Sequence, residues 1–282
     1  MRTRFVSVVL GAASLGMVAA MPAIAEEAFT YDCETCPTNW GNLPGENFAQ
    51  CIEGDAQSPI AYDEETAQRK RLPRLRPRFG ESVLEVERLG TNFEAFVEAG
   101  SGFTRVGRKR FELIQYHFHS ASEHVVNGER FPLEMHFVHR ASDGALAVLA
   151  VLIKEGEELE EIEPLIEALP AVAMADVGES VEVETIDVSE LLPDTRKSFR
   201  YTGSTTTPPC APNVSWIILA KPLEMSAEQI EAIQDTIRGF NSRLLLSGKF
   251  VEFDNNRPIQ DRNGRVVMTD TARDGDKDKD DD

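Results

Sequence analysis

From Ser82 onward the apolar positions fall in short runs with strand-like alternation: "SVLEVERL", "FEAFVEAG", "KRFELIQYHFHS", "PLEMHFVHR" and "ALAVLAVLIKEG". Each is of strand length and is bounded by Gly, Asp, Asn or Pro. Only two segments carry a helical pattern, "EELEEIEPLIEALPAVA" and "SAEQIEAIQDTIRGFNSRLL". In the second, Ser226 followed by Gln229 predicts a capping box. Asn127-Gly128, inside "HVVNGERFPLEMHF", predicts a tight turn and antiparallel pairing of the strands on either side. Residues 31–60 read as irregular, with turn formers in "PTNWGNLPGEN" and "QSPI". The pattern therefore predicts a mainly β fold with peripheral helices in a single domain, its hairpins paired antiparallel.

The run "QYHFHSASEH" holds three of the five histidines. On a strand, side chains alternate faces, so His117 and His119 point the same way; on a helix they would stand roughly 200° apart. The predicted hairpin brings back a neighbouring strand with His136, so three imidazoles can converge on one metal ion. Three neutral histidines suit zinc, with the fourth corner left to water, whose pKa then falls to about 7. Gln115 and Glu134 each lie two residues before a proposed ligand, where they can hold the ring nitrogen turned away from the metal. Glu134 also sits between Leu133 and Met135, where an unpaired buried charge would be costly. His124 and His139 are expected to make structural hydrogen bonds only.

Charge and composition narrow the class. The 282-residue chain has a formal net charge of −19. That balance, with no basic stripe picked out, argues against a nucleic-acid partner. Residues 1–25, with Arg2 and Arg4 before an apolar run ending Ala23-Ile24-Ala25, read as a signal peptide rather than a membrane anchor, which predicts a periplasmic or secreted protein. Residues 266–282, ending "DGDKDKDDD", read as a disordered acidic tail, leaving 26–265 as the folded domain. In an exported chain the even set Cys33, Cys36, Cys51 and Cys210 suggests disulfides.

"QYHFHSASEH", "PLEMHFVHR", "ALAVLAVLIKEG" and "GSTTTPPC", with "NWGN", "QSPI", "VSWIIL" and "NNRPIQ" in order, resemble the α-class carbonic anhydrases from about Trp40 to about Gln260. The resemblance implies a single domain around a large, mostly antiparallel twisted β-sheet, zinc on His117, His119 and His136, and reversible hydration of carbon dioxide to bicarbonate and a proton by zinc-bound hydroxide. It gives Glu123 and Thr206 the role of orienting that hydroxide and Thr207 that of holding bicarbonate. Val138, Val148, Val214 and Trp216 would form the carbon dioxide pocket, with Thr205 at its mouth in place of the usual leucine. It implies a Cys51–Cys210 disulfide; Cys33 and Cys36 have no counterpart, and a local disulfide is the expectation for them. The chain departs from the pattern at Thr91, where many members carry a proton-relaying histidine, at Glu94, where a neutral amide is common, and at Asn42, where a tyrosine is common. Expected partners are carbon dioxide and bicarbonate, with no membrane contact after leader removal and a homodimer left open. A catalytically weak binding protein and an esterase side activity at the same zinc are the competing readings.

Overall fold

The computed structural model describes residues 29–32, 35–43, 48–244 and 250–270. The strand-forming runs gather into a thirteen-stranded sheet, flanked by two two-stranded ribbons. Along the sheet the order is Ser180–Asp187, Glu81–Arg88, Phe93–Val97, Lys109–Ser120, Leu133–Arg140, Leu146–Glu155, Pro212–Leu219, Ser198–Ser204, Met268–Asp270 and Gln68–Lys70. Leu75–Phe79 and Gly102–Val106 continue it on one side of Lys109–Ser120, and Leu223–Met225 pairs with Leu146–Glu155. Most neighbours are antiparallel, as expected. Leu146–Glu155 and Pro212–Leu219 are parallel, because the long intervening segment returns the chain in the same direction.

Central strands are covered on both faces. In Leu146–Glu155 the residues Leu149, Val151 and Ile153 enter one core while Val148, Ala150 and Leu152 enter the other, which is why this strand reads as a continuous apolar run. Two helices seal the first face. Glu163–Met174 buries Leu165, Leu169 and Val172, and Ala227–Phe240 buries Ile230, Ile233 and Ile237, both at helical spacing. The capping box forms, with Gln229 N donating to Ser226 Oγ and Ser226 N donating to Gln229 Oε1, each at 3.2 Å. The helix stops at Phe240, short of the expected "SRLL", and Arg243–Leu244 is extended. At that boundary Asn241 turns its amide back on Ile237 O at 2.7 Å and across to Thr91 O at 2.8 Å.

Three expectations need correction. The fold extends past residue 265: Val267 is buried, and Met268–Asp270 pairs with Phe199–Arg200 and Gln68–Lys70, since these residues still have apolar side chains to bury. Residues 271–282 lie outside the described residues, as do the expected leader and Cys33. The turn at Asn127-Gly128 forms, with φ of 53° and 82°, but it closes only the bridge Val126↔Glu129. The long pairing of Lys109–Ser120 with Leu133–Arg140 lies beyond it. A basic stripe does exist: Arg74, Arg76 and Arg78 project, exposed, between the buried Leu75 and Pro77. The global charge hid it.

Cys51 and Cys210 form a disulfide that joins the short helix Gln50–Glu53 to the threonine loop across 159 residues of chain. Cys36 is a free thiol, 3.2 Å from Thr38 Oγ1, so the local disulfide expected of it is not formed. A closure of this length restricts the unfolded chain strongly. Replacing both Cys51 and Cys210 by serine is expected to lower unfolding free energy by up to about 5 kcal/mol. Urea midpoints of the parent and the double variant, measured without reductant, check this.

Candidate metal centre

His117 and His136 are directly opposed on adjacent antiparallel strands, so they share a face by construction. His119 lies one alternation further along the same strand. The three ring centroids are 5.1, 5.3 and 4.6 Å apart, and one nitrogen from each ring lies within 4.8 Å of the others. The remaining nitrogens are all engaged. His117 Nδ1 is 2.9 Å from Gln115 Oε1, His119 Nδ1 is 2.8 Å from Asn255 O, and His136 Nε2 is 2.8 Å from Glu134 Oε1. The nitrogens left over are Nε2 of His117, Nε2 of His119 and Nδ1 of His136. Buried His119 Nε2 has no hydrogen-bond partner, an arrangement that a metal bond would resolve.

The electrostatics agree with that donor set. Burial, and then the neighbouring rings, push His117 well below the usual histidine range; burial likewise lowers His119. Both are therefore neutral at pH 7, the form that ligates metal. Burial alone would raise the pKa of Glu134, but His124 and His136 outweigh it and hold the carboxyl well below the carboxylate range. Its Oε1 accepts at 2.6 Å from the direction of His124 Nδ1 as well as from His136, and Oε2 accepts from His124 N at 2.8 Å. His124 Nε2 then meets Tyr201 Oη at 2.8 Å, and Tyr201 meets Ser58 Oγ at 2.8 Å. His124 makes structural bonds as expected, though its link to Glu134 was not legible from spacing.

Cross-strand register also builds the apolar wall. Val138 opposes Val148, and Val148 opposes Trp216, so the three form one row beside the row that holds His117, His136 and Ala150. Val148, Val214 and Trp216 are buried together, and Trp216 lies 4.9 Å from the His136 ring. Thr206 is buried, and Glu123 lies beneath the histidines, with Oε1 accepting from Arg257 N at 2.9 Å and Oε2 at 3.6 Å from His119 Nε2. Glu123 Oε2 has no hydrogen-bond partner, so the structure does not join Thr206 to it. Thr205 is turned into its own loop: its hydroxyl donates to Thr207 O at 3.0 Å and accepts from Ala211 N at 2.9 Å. Only its methyl is left to meet a substrate. Thr207 is partly exposed on the same loop, and Thr91 is buried. Asn255 and Arg257, from "NNRPIQ", were recognised as a motif but not as supports for His119 and Glu123; nothing in their spacing announces that.

This site stands in known company. The family profile described as eukaryotic-type carbonic anhydrase matches residues 35–271. The chain belongs to the α-carbonic anhydrase family. A carbonic anhydrase of Klebsiella pneumoniae is 32% identical over 92% of this chain and 98% of its own length. One from Neisseria gonorrhoeae is 32% identical over 84% of this chain and 86% of its own. Among solved structures, the α-carbonic anhydrase of Thermovibrio ammonificans in complex with the inhibitor sulfanilamide is 35% identical, covers 85% of this chain and 98% of that one, and superposes with a TM-score of 0.75. Dioscorin complexed with ascorbate is 27% identical, covers 86% and 97%, and also has a TM-score of 0.75. The carbonic anhydrase fold thus carries the chain's sheet and its histidine row together.

His139, the fifth histidine, lies on the opposite face of its strand, stacked on Phe79 at 5.6 Å, with Nε2 3.0 Å from Thr104 Oγ1 and Nδ1 2.9 Å from Phe137 O. Burial pulls its pKa down to about 4. The unfolded ring titrates near 6.5, so below that pH the unfolded chain binds a proton that the folded chain refuses. Its share of stability is full above about pH 6.5, falls by about 3 kcal/mol as pH drops toward 4, and is level below that. Urea unfolding of the parent and His139→Asn at pH 7 and pH 4.5 should show a smaller loss between the two pH values for the variant.

Proposed function

We propose that the chain is a zinc-dependent carbonic anhydrase, reversibly hydrating carbon dioxide to bicarbonate and a proton, in an exported protein. The observation that carries the metal assignment is the unpartnered, buried His119 Nε2 beside two rings whose outer nitrogens are already engaged. His117, His119 and His136 would hold zinc, which supplies when bound the Lewis acidity that lets water lose a proton near neutral pH. Gln115, the Asn255 carbonyl and Glu134 fix the tautomers and aim the rings. Glu134, ionised, also strengthens the donor character of His136. Val138, Val148, Val214 and Trp216 offer carbon dioxide an apolar wall beside the histidine row, which desolvates it without needing hydrogen bonds. The family resemblance gives Thr206 the orienting of the attacking oxygen and Thr207 the holding of bicarbonate; Glu123 Oε2, unpartnered here, is the acceptor that Thr206 would have to reach. The disulfide supports export; among the described residues no helix is long and apolar enough to cross a membrane.

Each of the five histidines already has a place: three converge, and His124 and His139 are bonded on both ring nitrogens. No imidazole remains to relay the proton from Thr91's position, so water, buffer or another group such as Glu94 must do it. Turnover is therefore expected to rise steeply with buffer concentration, and added imidazole should accelerate it further. Stopped-flow hydration across a buffer series checks this; a flat series would reveal another relay.

Dioscorin's similarity, and the ascorbate in its complex, favour one alternative, a ligand-binding relative that hydrates poorly. The decisive test measures zinc and hydration together. We expect one zinc per chain, loss of both metal and activity with chelator, and loss of both in His119→Ala. Glu134→Gln should weaken metal affinity by about 10- to 100-fold. A chain with one zinc and no hydration above buffer would point instead to the binding protein.

A further inference from the structure

Beyond this reading, the basic stripe is part of a larger array of arginines, most of them without a carboxylate partner among the described residues. Arg76 lies directly opposite Arg105, and Arg105 directly opposite Arg110, so three guanidinium side chains stand in one row across three adjacent strands. Directly opposed like charges destabilise a sheet. Arg110 is relieved by Glu112, and both Arg105 and Arg110 lie over the Phe103 ring, at 5.6 and 3.6 Å. Arg76 and Arg105 have no carboxylate within ion-pair distance among the described residues, and the same holds for Arg71, Arg74, Arg78 and Arg108; all six are exposed. Arg74, Arg76 and Arg78 extend the array along the strand, and the bond from Gly107 N to Arg74 O at 2.8 Å sets Arg108 beside its end. These unpaired cations sit in a chain whose formal net charge is −19. Such a concentration is maintained against both local repulsion and the global balance.

We propose that this face docks the protein peripherally on an anionic membrane, through the phosphate groups of its lipids. The charges form a grid, along one strand and across three, which matches a surface of headgroups better than the single line of a threaded polyanion. Arginine, five donors in a planar fork, suits phosphate oxygens. The remaining acidic surface is repelled by the same membrane, which fixes the orientation. Arg110 and His117 lie on one strand, roughly 20 Å apart at about 3.3 Å per residue, so docking leaves the metal centre clear. It would hold hydration near the lipid through which apolar carbon dioxide passes. The sequence led to the expectation of no membrane contact because no second apolar run of membrane length follows the leader, a test that does not register peripheral docking through charge.

Vesicle co-sedimentation of the full chain tests this, with phosphatidylglycerol-containing and pure phosphatidylcholine vesicles in about 50 mM salt. Binding to the anionic vesicles alone, with release in about 0.5 M salt, is expected. Each basic residue near an anionic bilayer contributes about a factor of five, so Arg76→Gln/Arg105→Gln/Arg108→Gln should bind about a hundredfold more weakly. Its thermal midpoint should be unchanged or higher, because opposed charges are removed, and its hydration rate in solution unchanged. Arg105→Lys should bind nearly as the parent. Equal sedimentation with both vesicle types, or parent-like binding by the triple variant, would overturn the proposal. So would binding that develops only when the chain ends at Asp270, which would give the face to the acidic residues 271–282, or tighter binding to single-stranded DNA at equal phosphate. Loss of hydration in the parent would bear on the zinc reading alone, since docking does not use the metal.

Discussion

The candidate metal centre rests on the register between Lys109–Ser120 and Leu133–Arg140. With His117 opposite His136, the rings face each other across about 5 Å of sheet; a slip of one residue would place Phe137 there and turn His136 toward the helix-covered core. Two features hold the register. On the other face, Phe118 opposes Met135 and Tyr116 opposes Phe137, all buried, so a slip would expel large apolar side chains. Nearer the strand's start, Ile114 is an extra residue: Leu113 pairs with His139, but Gln115 pairs with Val138. That bulge resets the alternation and brings Gln115 and His117 onto the face of Val138 and His136.

Given that register, Glu134 has no freedom. Its carboxylate is wholly buried between strands, and an uncompensated charge there would cost several kcal/mol. Both of its oxygens are occupied by His124 and His136, and the chain of contacts continues through Tyr201 and Ser58 to Ser204, whose N donates to Ser58 Oγ at 3.1 Å. On the other side of the centre Arg257 binds Gln57 Oε1, Ser58 O and Cys51 O at 2.8, 2.7 and 2.7 Å while its backbone N–H holds Glu123. The disulfide at Cys51 therefore secures a segment that the buried arginine already grips. Rigid aiming of the histidines follows from groups far apart in sequence meeting in one dry polar network.

Local pattern was enough for the strands themselves and for the convergence of the histidines, because alternation has a fixed period and the turn formers between the two histidine strands reverse the chain. The strand from Lys109 to Ser120 ends where its sequence run ends, and Gln115 and Glu134 stand beside their rings as period two requires. Long-range pairings were not legible. Nothing near His124 indicates that it shares Glu134 with His136; nothing near Asn255 indicates that its carbonyl meets His119, 136 residues away. The loop bonds of Thr205 were equally hidden: family resemblance put it at the pocket mouth, and a hydroxyl next to unpaired backbone groups closes on them first. The roles of Thr206 and Thr207 came from family resemblance, since a run of threonines before prolines is otherwise a turn.

The basic face shows a different failure of one-dimensional reading. Summed over the chain, charge is strongly negative, and the sum was taken as the character of the surface. Sheet geometry undoes that averaging: Arg76 and Arg105 are far apart in the sequence yet opposed in space, and Arg110, five residues beyond Arg105, lies opposite it across a hairpin. Screening acts over about 8 Å in physiological salt, so a partner meets the local grid rather than the distant acidic surface. The same pairing that assembles three histidines into a metal site assembles three arginines into a row. In the first case the converging groups are imidazoles directed inward, and in the second they are guanidinium cations open to solvent, which is why one suits a small dication and the other an extended anionic surface.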